Sequence, residues 1–262
     1  MISTPLIAFD PRRINLDPAE LTGRVIAITG PTAGIGRALA MECARRGAEV
    51  VLVGRNLRKL ETVHAEILQL SEQNPHVRIP EPLIAPLDLE RALAGDFDTL
   101  AEAVEQRWGR LDGLVHNAGL LGVLAPIQHF DVPTWARVMH VNVTAAFALT
   151  QVLLPALRAS SDASLLFTTS SVGRRGRAYW GAYAVSKFAL EGLTQVLAAE
   201  LDSTAVRVNA INPGKARTAM RRQAYPSEDL DSLPDPATLI APYVALLGPQ
   251  SRGITGLSFD CQ

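Results

Sequence analysis

The chain has 262 residues, 48% of them apolar and 19% charged, with a formal net charge of -1. That length can bury a sizeable core as one large α/β domain or two smaller ones, and the composition is that of a folded protein. Near-neutral charge leaves no electrostatic footprint for nucleic acid or an acidic membrane, and Cys43 and Cys261 offer neither a disulfide framework nor metal-ligand spacing. No metal is expected, and a reducing cytoplasm suits this cysteine usage.

The opening MISTPLIAFDPRR lacks the basic start of a signal peptide. Residues 1 to 22 read as an irregular arm, and 23 to 262 as a single domain without an internal linker or repeat. Seven short runs read as strands: 25 to 29, 50 to 53, 83 to 86, 114 to 116, 164 to 169, 206 to 211 and 256 to 259. Most are apolar on both faces, as strands covered on both sides are. Helical patterns separate them at 34 to 46, 56 to 71, 97 to 108, 134 to 158, 183 to 201 and 236 to 247. The apolar runs are interrupted by Gln151, Pro155, Glu191 or Gln195 before reaching the roughly 18 residues of a spanning helix, so no membrane partner is expected. The polar stretch 217 to 235 reads as a mobile connection.

Strict alternation of strand and helix implies a parallel sheet with helices on both faces, and ligands of such sheets sit beyond the carboxyl ends of the strands. Strand one runs into TGPTAGIG, whose Gly30, Gly34 and Gly36 suit a tight turn, close approach to a pyrophosphate and a helix N-terminus aimed at it. Thr32 and Ile35 belong to the same turn. The alternative is an ordinary strand-to-helix turn. Strand two ends in VGRN, with Gly54 where a carboxylate would bind the ribose diol of NAD and Arg55 next, a guanidinium suited to a 2'-phosphate. NADP(H) is therefore favoured over NAD(H), unless Arg55 only begins a solvated turn.

Strand three ends in LDLE, where Asp88 can accept from an adenine amino group and Leu89 can pack nearby. Strand four ends in HNAG: Asn117 can brace the neighbouring strand, while Ala118 and Gly119 allow a flat ring close to the main chain. After strand six, NPGKART supplies Pro213 and Gly214 for a turn and Thr218 as a hydroxyl for a carboxamide or a helix cap.

The stretch GAYAVSKFAL places Tyr183 and Lys187 four residues apart, on one helix face. A fixed ammonium and a cationic nicotinamide would favour the phenolate, and are expected to lower the phenol's pKa by about 2 to 3 units. Such a phenol can exchange a proton with a substrate oxygen. Ser170, at the end of strand five, can hold the same oxygen, with Ser171 the competing register. Asn142 lies among apolar residues of MHVNVTAAF and needs partners, a water near Lys187 or a local backbone group. Arg174, Arg175, Arg177, Arg217, Arg221 and Arg222 flank the site, either to clamp an anionic substrate or to be solvated or paired elsewhere.

Together TGPTAGIG, HNAG, Asn142, Ser170, Tyr183 with Lys187, and PGKART resemble the short-chain dehydrogenase/reductase family, in its order and approximate spacing. VGRRGRAYWGAYAVSKFALEG looks like its bacterial YciK-like branch. The resemblance implies an α/β, single-domain Rossmann-type three-layer sandwich with a seven-stranded parallel sheet in the order 3-2-1-4-5-6-7. It implies an Asn142, Ser170, Tyr183 and Lys187 catalytic group, with Lys187 also on the nicotinamide ribose. It further implies carbonyl/alcohol interconversion on a small molecule by a homodimer or homotetramer. The other readings are a non-catalytic dinucleotide-binding sensor or scaffold, and a dehydratase or epimerase of the same fold. His116 stands where asparagine is frequent in that family, and Ala33 where a basic or hydroxyl residue is frequent.

Overall fold

A computed structural model describes residues 9 to 73 and 78 to 262. Residues 1 to 8 of the expected arm lie outside the described residues. Seven parallel strands form one sheet in the order β3-β2-β1-β4-β5-β6-β7. They are β1 Val25–Thr29, β2 Glu49–Gly54, β3 Leu83–Pro86, β4 Gly113–His116, β5 Ala163–Thr168, β6 Val206–Asn212 and β7 Ser258–Asp260. The helices are α1 Gly34–Arg45, α2 Leu57–Gln73, α3 Ala94–Trp108, α4 Val132–Met139, α5 Ala145–Arg158, α6 Gly181–Glu200, α7 Ala219–Ala224 and α8 Ala241–Leu247.

The doubly apolar strands follow from two cores, one on each face. In β1, Val25 and Ala27 join the cluster under α3, α5 and α6, while Ile26 and Ile28 join the cluster under α1, α2 and α8. Alternate side chains point to opposite faces, so a strand sandwiched between helices is apolar on both faces over most of its length. Leu149 and Leu153 of α5 are fully buried, each contributing roughly 2 kcal/mol of apolar burial.

Three sequence expectations change. The single helix expected over 134 to 158 is two α-helices joined by a π turn, His140–Thr144. Residues 217 to 235 are not merely a loop: Thr218 caps α7, its Oγ1 accepting from Arg221 N at 3.2 Å, and a 3-10 turn follows at Leu230–Ser232. Finally, Val132–Arg158 is long and apolar enough to cross a membrane by length and composition, despite Gln151 and Pro155. Its inner residues Ala145, Ala146, Leu149, Leu153, Ala156 and Leu157 are packed in the core, which gives those apolar positions their use.

From Phe9 to Leu21 the chain packs along the body: the Phe9 ring meets Phe259 edge-on at 5.7 Å, and Leu21 is buried. An apolar strip stays exposed on the outer face of α5 and α6, formed by Phe147, Val185, Phe188 and Val196, the last three at helical spacing.

Candidate active site

The carboxyl ends of the strands open into a cavity of about 660 Å³. At its centre, Gly30 and Gly34 adopt φ of 68° and 53°, left-handed values that suit glycine, and α1 begins there. A Cβ on Gly36 would lie 2.2 Å from the Gly30 carbonyl oxygen and 2.4 Å from Asn117 Nδ2. Gly36 therefore lets α1 pack onto the turn from behind and does not itself line the cavity.

One hydroxyl that the sequence reading passed over ties the turn to β4. Thr29 Oγ1 donates to the Val115 carbonyl at 3.3 Å and accepts from Asn117 N and Ala118 N, both at 3.0 Å. Asn117 Nδ2 adds bonds to the carbonyls of Thr29 and Gly30, which is the brace expected of it. Just before it, His116 is buried with its ring stacked on Phe167 at 4.9 Å. Its Nε2 lies 2.8 Å from Thr150 Oγ1, whose proton goes to the Ala146 carbonyl, so Nε2 carries the hydrogen. Burial pushes the His116 pKa down to about 3.

Beyond the ends of β2 and β3, Thr32, Ile35, Asp88 and Leu89 line the cavity with Arg55. The Arg55 guanidinium is 3.7 Å from Glu90, but that carboxylate is already held by Arg137 in a bidentate pair at 2.8 and 2.9 Å. Arg55 thus remains available to another anion. Lys59, in the first turn of α2, supplies a second cation that the sequence reading missed.

At the other end Ser170, Tyr183 and Lys187 converge. Ser170 lines the cavity beside Tyr183, whereas Ser171 is exposed in a 3-10 turn and does not line it. Lys187 Nζ donates to the Thr168 carbonyl at 2.8 Å and lies 5.5 Å from the centre of the Tyr183 ring. Burial pushes the Tyr183 pKa up to about 12, only partly offset by Ser170, and pushes Lys187 down to about 8. The expected lowering counts a cationic nicotinamide beside the phenol; for the protein alone, desolvation of a nearly enclosed ring sets the direction upward.

Asn142 sits behind the cavity wall, in the π turn. Its Oδ1 accepts from Leu120 N at 2.7 Å, while Nδ2 donates to the Leu120 carbonyl and to Ser186 Oγ, both at 2.9 Å. Ser186, overlooked in the sequence, donates on to the Tyr183 carbonyl at 2.7 Å. Asn142 thus satisfies backbone groups, those of Leu120 beyond β4 rather than of its own turn. A Cβ on Gly119 would meet both Asn142 Oδ1 and Lys187 Nζ within 4 Å, so the amide and the ammonium flank that glycine. Gly119, Ala118, Pro213, Gly214 and Thr218 line the same cavity.

The flanking arginines are largely committed. Arg174 pairs with Glu191 and Asp260, Arg217 with Asp231 and Asp235, and Arg221 with Glu228. Of the six, only Arg221 lines the cavity.

Residues 24 to 229 match the family model described as short chain dehydrogenase. The chain belongs to the short-chain dehydrogenase/reductase family. It is 48% identical over 242 residues to the oxidoreductase YciK of Escherichia coli K12, covering 92% of this chain and 93% of that one. Among solved structures, a short chain dehydrogenase of Shigella flexneri complexed with NADP superposes with a TM-score of 0.89 at 46% identity, covering 94% of this chain and all of that one. Another from Escherichia coli CFT073, complexed with NADPH, gives 0.89 at 48% identity, with 94% and 99% covered. The short-chain dehydrogenase/reductase fold accounts for the sheet order and for the nucleotide-binding character of the crevice, and the protein is an oxidoreductase.

Proposed function

We propose that the protein interconverts a carbonyl and a primary or secondary alcohol on a small molecule, with NADP(H) as cofactor and Tyr183 as general acid/base. The observation that carries this reading is the convergence of Ser170, Tyr183 and Lys187 at one end of the crevice that the glycine turn opens. Two features suit a dinucleotide. The cradle at Gly30, Gly34 and Gly36 leaves no space for side chains, and Thr169 Oγ1, buried in a cavity-lining residue, has no hydrogen-bond partner. The glycine turn with Thr32 and Ile35 would hold the pyrophosphate, and Arg55 the 2'-phosphate. Asp88 and Leu89 would hold the adenine. Asn117, Ala118, Gly119, Pro213, Gly214 and Thr218 would flank the nicotinamide, and Lys187 its ribose. When bound, the nicotinamide supplies or accepts the hydride.

The chain's own residues handle the proton. Burial favours the protonated Tyr183 phenol, the form needed to donate to a carbonyl oxygen as it gains negative charge. Ser170 hydrogen-bonds that oxygen and supports the developing charge. Asn142 acts as a positioning residue, fixing Leu120 against α6 through Ser186. The NADP- and NADPH-complexed relatives and the availability of Arg55 support NADP(H). Chain continuity from 23 to 262 over one sheet supports a single catalytic domain, and free Cys43 and Cys261 support a cytoplasmic setting. The exposed strip on α5 and α6 supports a homodimer, or a homotetramer through a second contact.

The decisive experiment pairs NADPH titration with steady-state turnover for wild type and Tyr183→Phe. Expected is a loss of about a thousandfold in turnover, with NADPH affinity changed less than about twofold. Wild-type turnover in the variant removes the proton-transfer role.

A further inference from the structure

Beside the two cores lies a third apolar cluster, and it belongs to the crevice. Leu121, Val172, Tyr183 and Ala184 form it, with Trp180, Met220 and Ala224 packed against them half-exposed. Leu120, Leu121, Trp180, Met220 and Ala224 all line the cavity beside the hydroxyl-bearing Ser170 and Tyr183. An apolar cluster left incomplete on its cavity side is covered best by an apolar ligand.

Trp180 is its largest member and is held from behind. Its ring centre is 5.7 Å from that of Tyr183 and 5.9 Å from that of Tyr225, both in tilted contact. Arg177 reaches the Tyr225 hydroxyl at 2.6 Å and lies 5.8 Å from the indole centre, and Arg221 covers the other ring at 3.8 Å. These cations stack on aromatic faces. Arg221 is in addition neutralised by Glu228, so the arginines at this mouth brace the indole rather than present an anion clamp. Tyr179, with a strained φ of 75°, accepts from Ala125 N at 3.0 Å and so pins the indole's loop to the loop after β4.

We propose that the substrate is a neutral carbonyl compound, or its alcohol, bearing a flat ring beside the reacting carbon, and that this ring lies against Trp180, which sets specificity. Met220, which lines the same cavity, has a flexible thioether that adapts the apolar wall to ring size. This rests on the carbonyl/alcohol reading above and names its substrate class.

The test compares acetophenone, its para-carboxylate and a straight-chain methyl ketone of equal carbon count. Each is measured by NADPH oxidation and by calorimetric binding to the NADPH-loaded enzyme, in wild type, Trp180→Ala and Trp180→Phe. Expected is a preference of about tenfold for acetophenone over both analogues, an advantage lost in Trp180→Ala through KM and kept in Trp180→Phe. Equal use of ring and chain, a preference for the carboxylate, or discrimination untouched by Trp180→Ala overturns the inference while leaving the oxidoreductase reading intact. Ring-selective binding without turnover of any ketone supports the wall and counts against the carbonyl chemistry. No binding of any probe overturns the inference.

Discussion

Replacing His116 by glutamine should make the protein markedly less sensitive to mild acid. The imidazole is enclosed between Phe167 and Thr150, and its folded-state pKa of about 3 lies far below the ordinary 6.5. Between those values the unfolded chain binds a proton at this site and the folded chain does not. Its stabilising contribution is therefore whole above the unfolded value and falls as pH drops toward the folded one. Integrating the linkage between about pH 8 and pH 5 gives a loss of about 2 kcal/mol from this one ring. The folded protein's perturbed carboxylates, such as Glu90 and Glu228, are shifted downward and act below that window. Urea titrations of wild type and His116→Gln at the two pH values read the difference directly. With a slope near 3 kcal/mol per molar, the wild-type midpoint should fall by roughly 0.7 M more than that of the variant. Glutamine keeps an amide N–H for Thr150 and has no titratable group, so its packing cost applies equally at both pH values. Identical acid shifts in the two proteins would refute the assignment of a buried neutral ring.

Two further outcomes follow from the crevice and the surface. Arg55→Ala and Lys59→Ala should each weaken NADPH by about tenfold, roughly 1.4 kcal/mol, while leaving NADH unchanged; fluorescence titration with both nucleotides checks this, and equal losses for the two would remove the 2'-phosphate role. Phe188→Glu, placing a charge in the apolar strip of α5 and α6, should shift the mass measured by light scattering to that of one chain, and an unchanged oligomer would locate the contact elsewhere.

Much of the fold was legible because its signals are local. Strands buried on both faces advertise themselves by composition, and Gly30, Gly34 and Tyr183 with Lys187 lie in short motifs whose geometry is set by neighbours in sequence. What stayed hidden depends on distant partners. The π turn at His140–Thr144 holds Asn142 to Leu120 and Ser186, 22 and 44 residues away, and helical periodicity carries no trace of those bonds. Arg174 finds Asp260 across 86 residues, a partner that the sequence does not identify. The upward shift of Tyr183 in the protein alone stayed hidden because a four-residue spacing reveals the ammonium but neither the depth of burial nor the Thr168 carbonyl that accepts its hydrogen bond.

The sharing of Glu90 between Arg137 and Arg55 also bears on redesign. An engineer seeking NADH specificity would first try Arg55→Asp, yet that introduces a carboxylate next to one that Arg137 already neutralises, in a neighbourhood that includes Asp88. On the proposed role of Arg55, changing nucleotide preference is thus a matter of rebalancing a small charge set that reaches as far as α4.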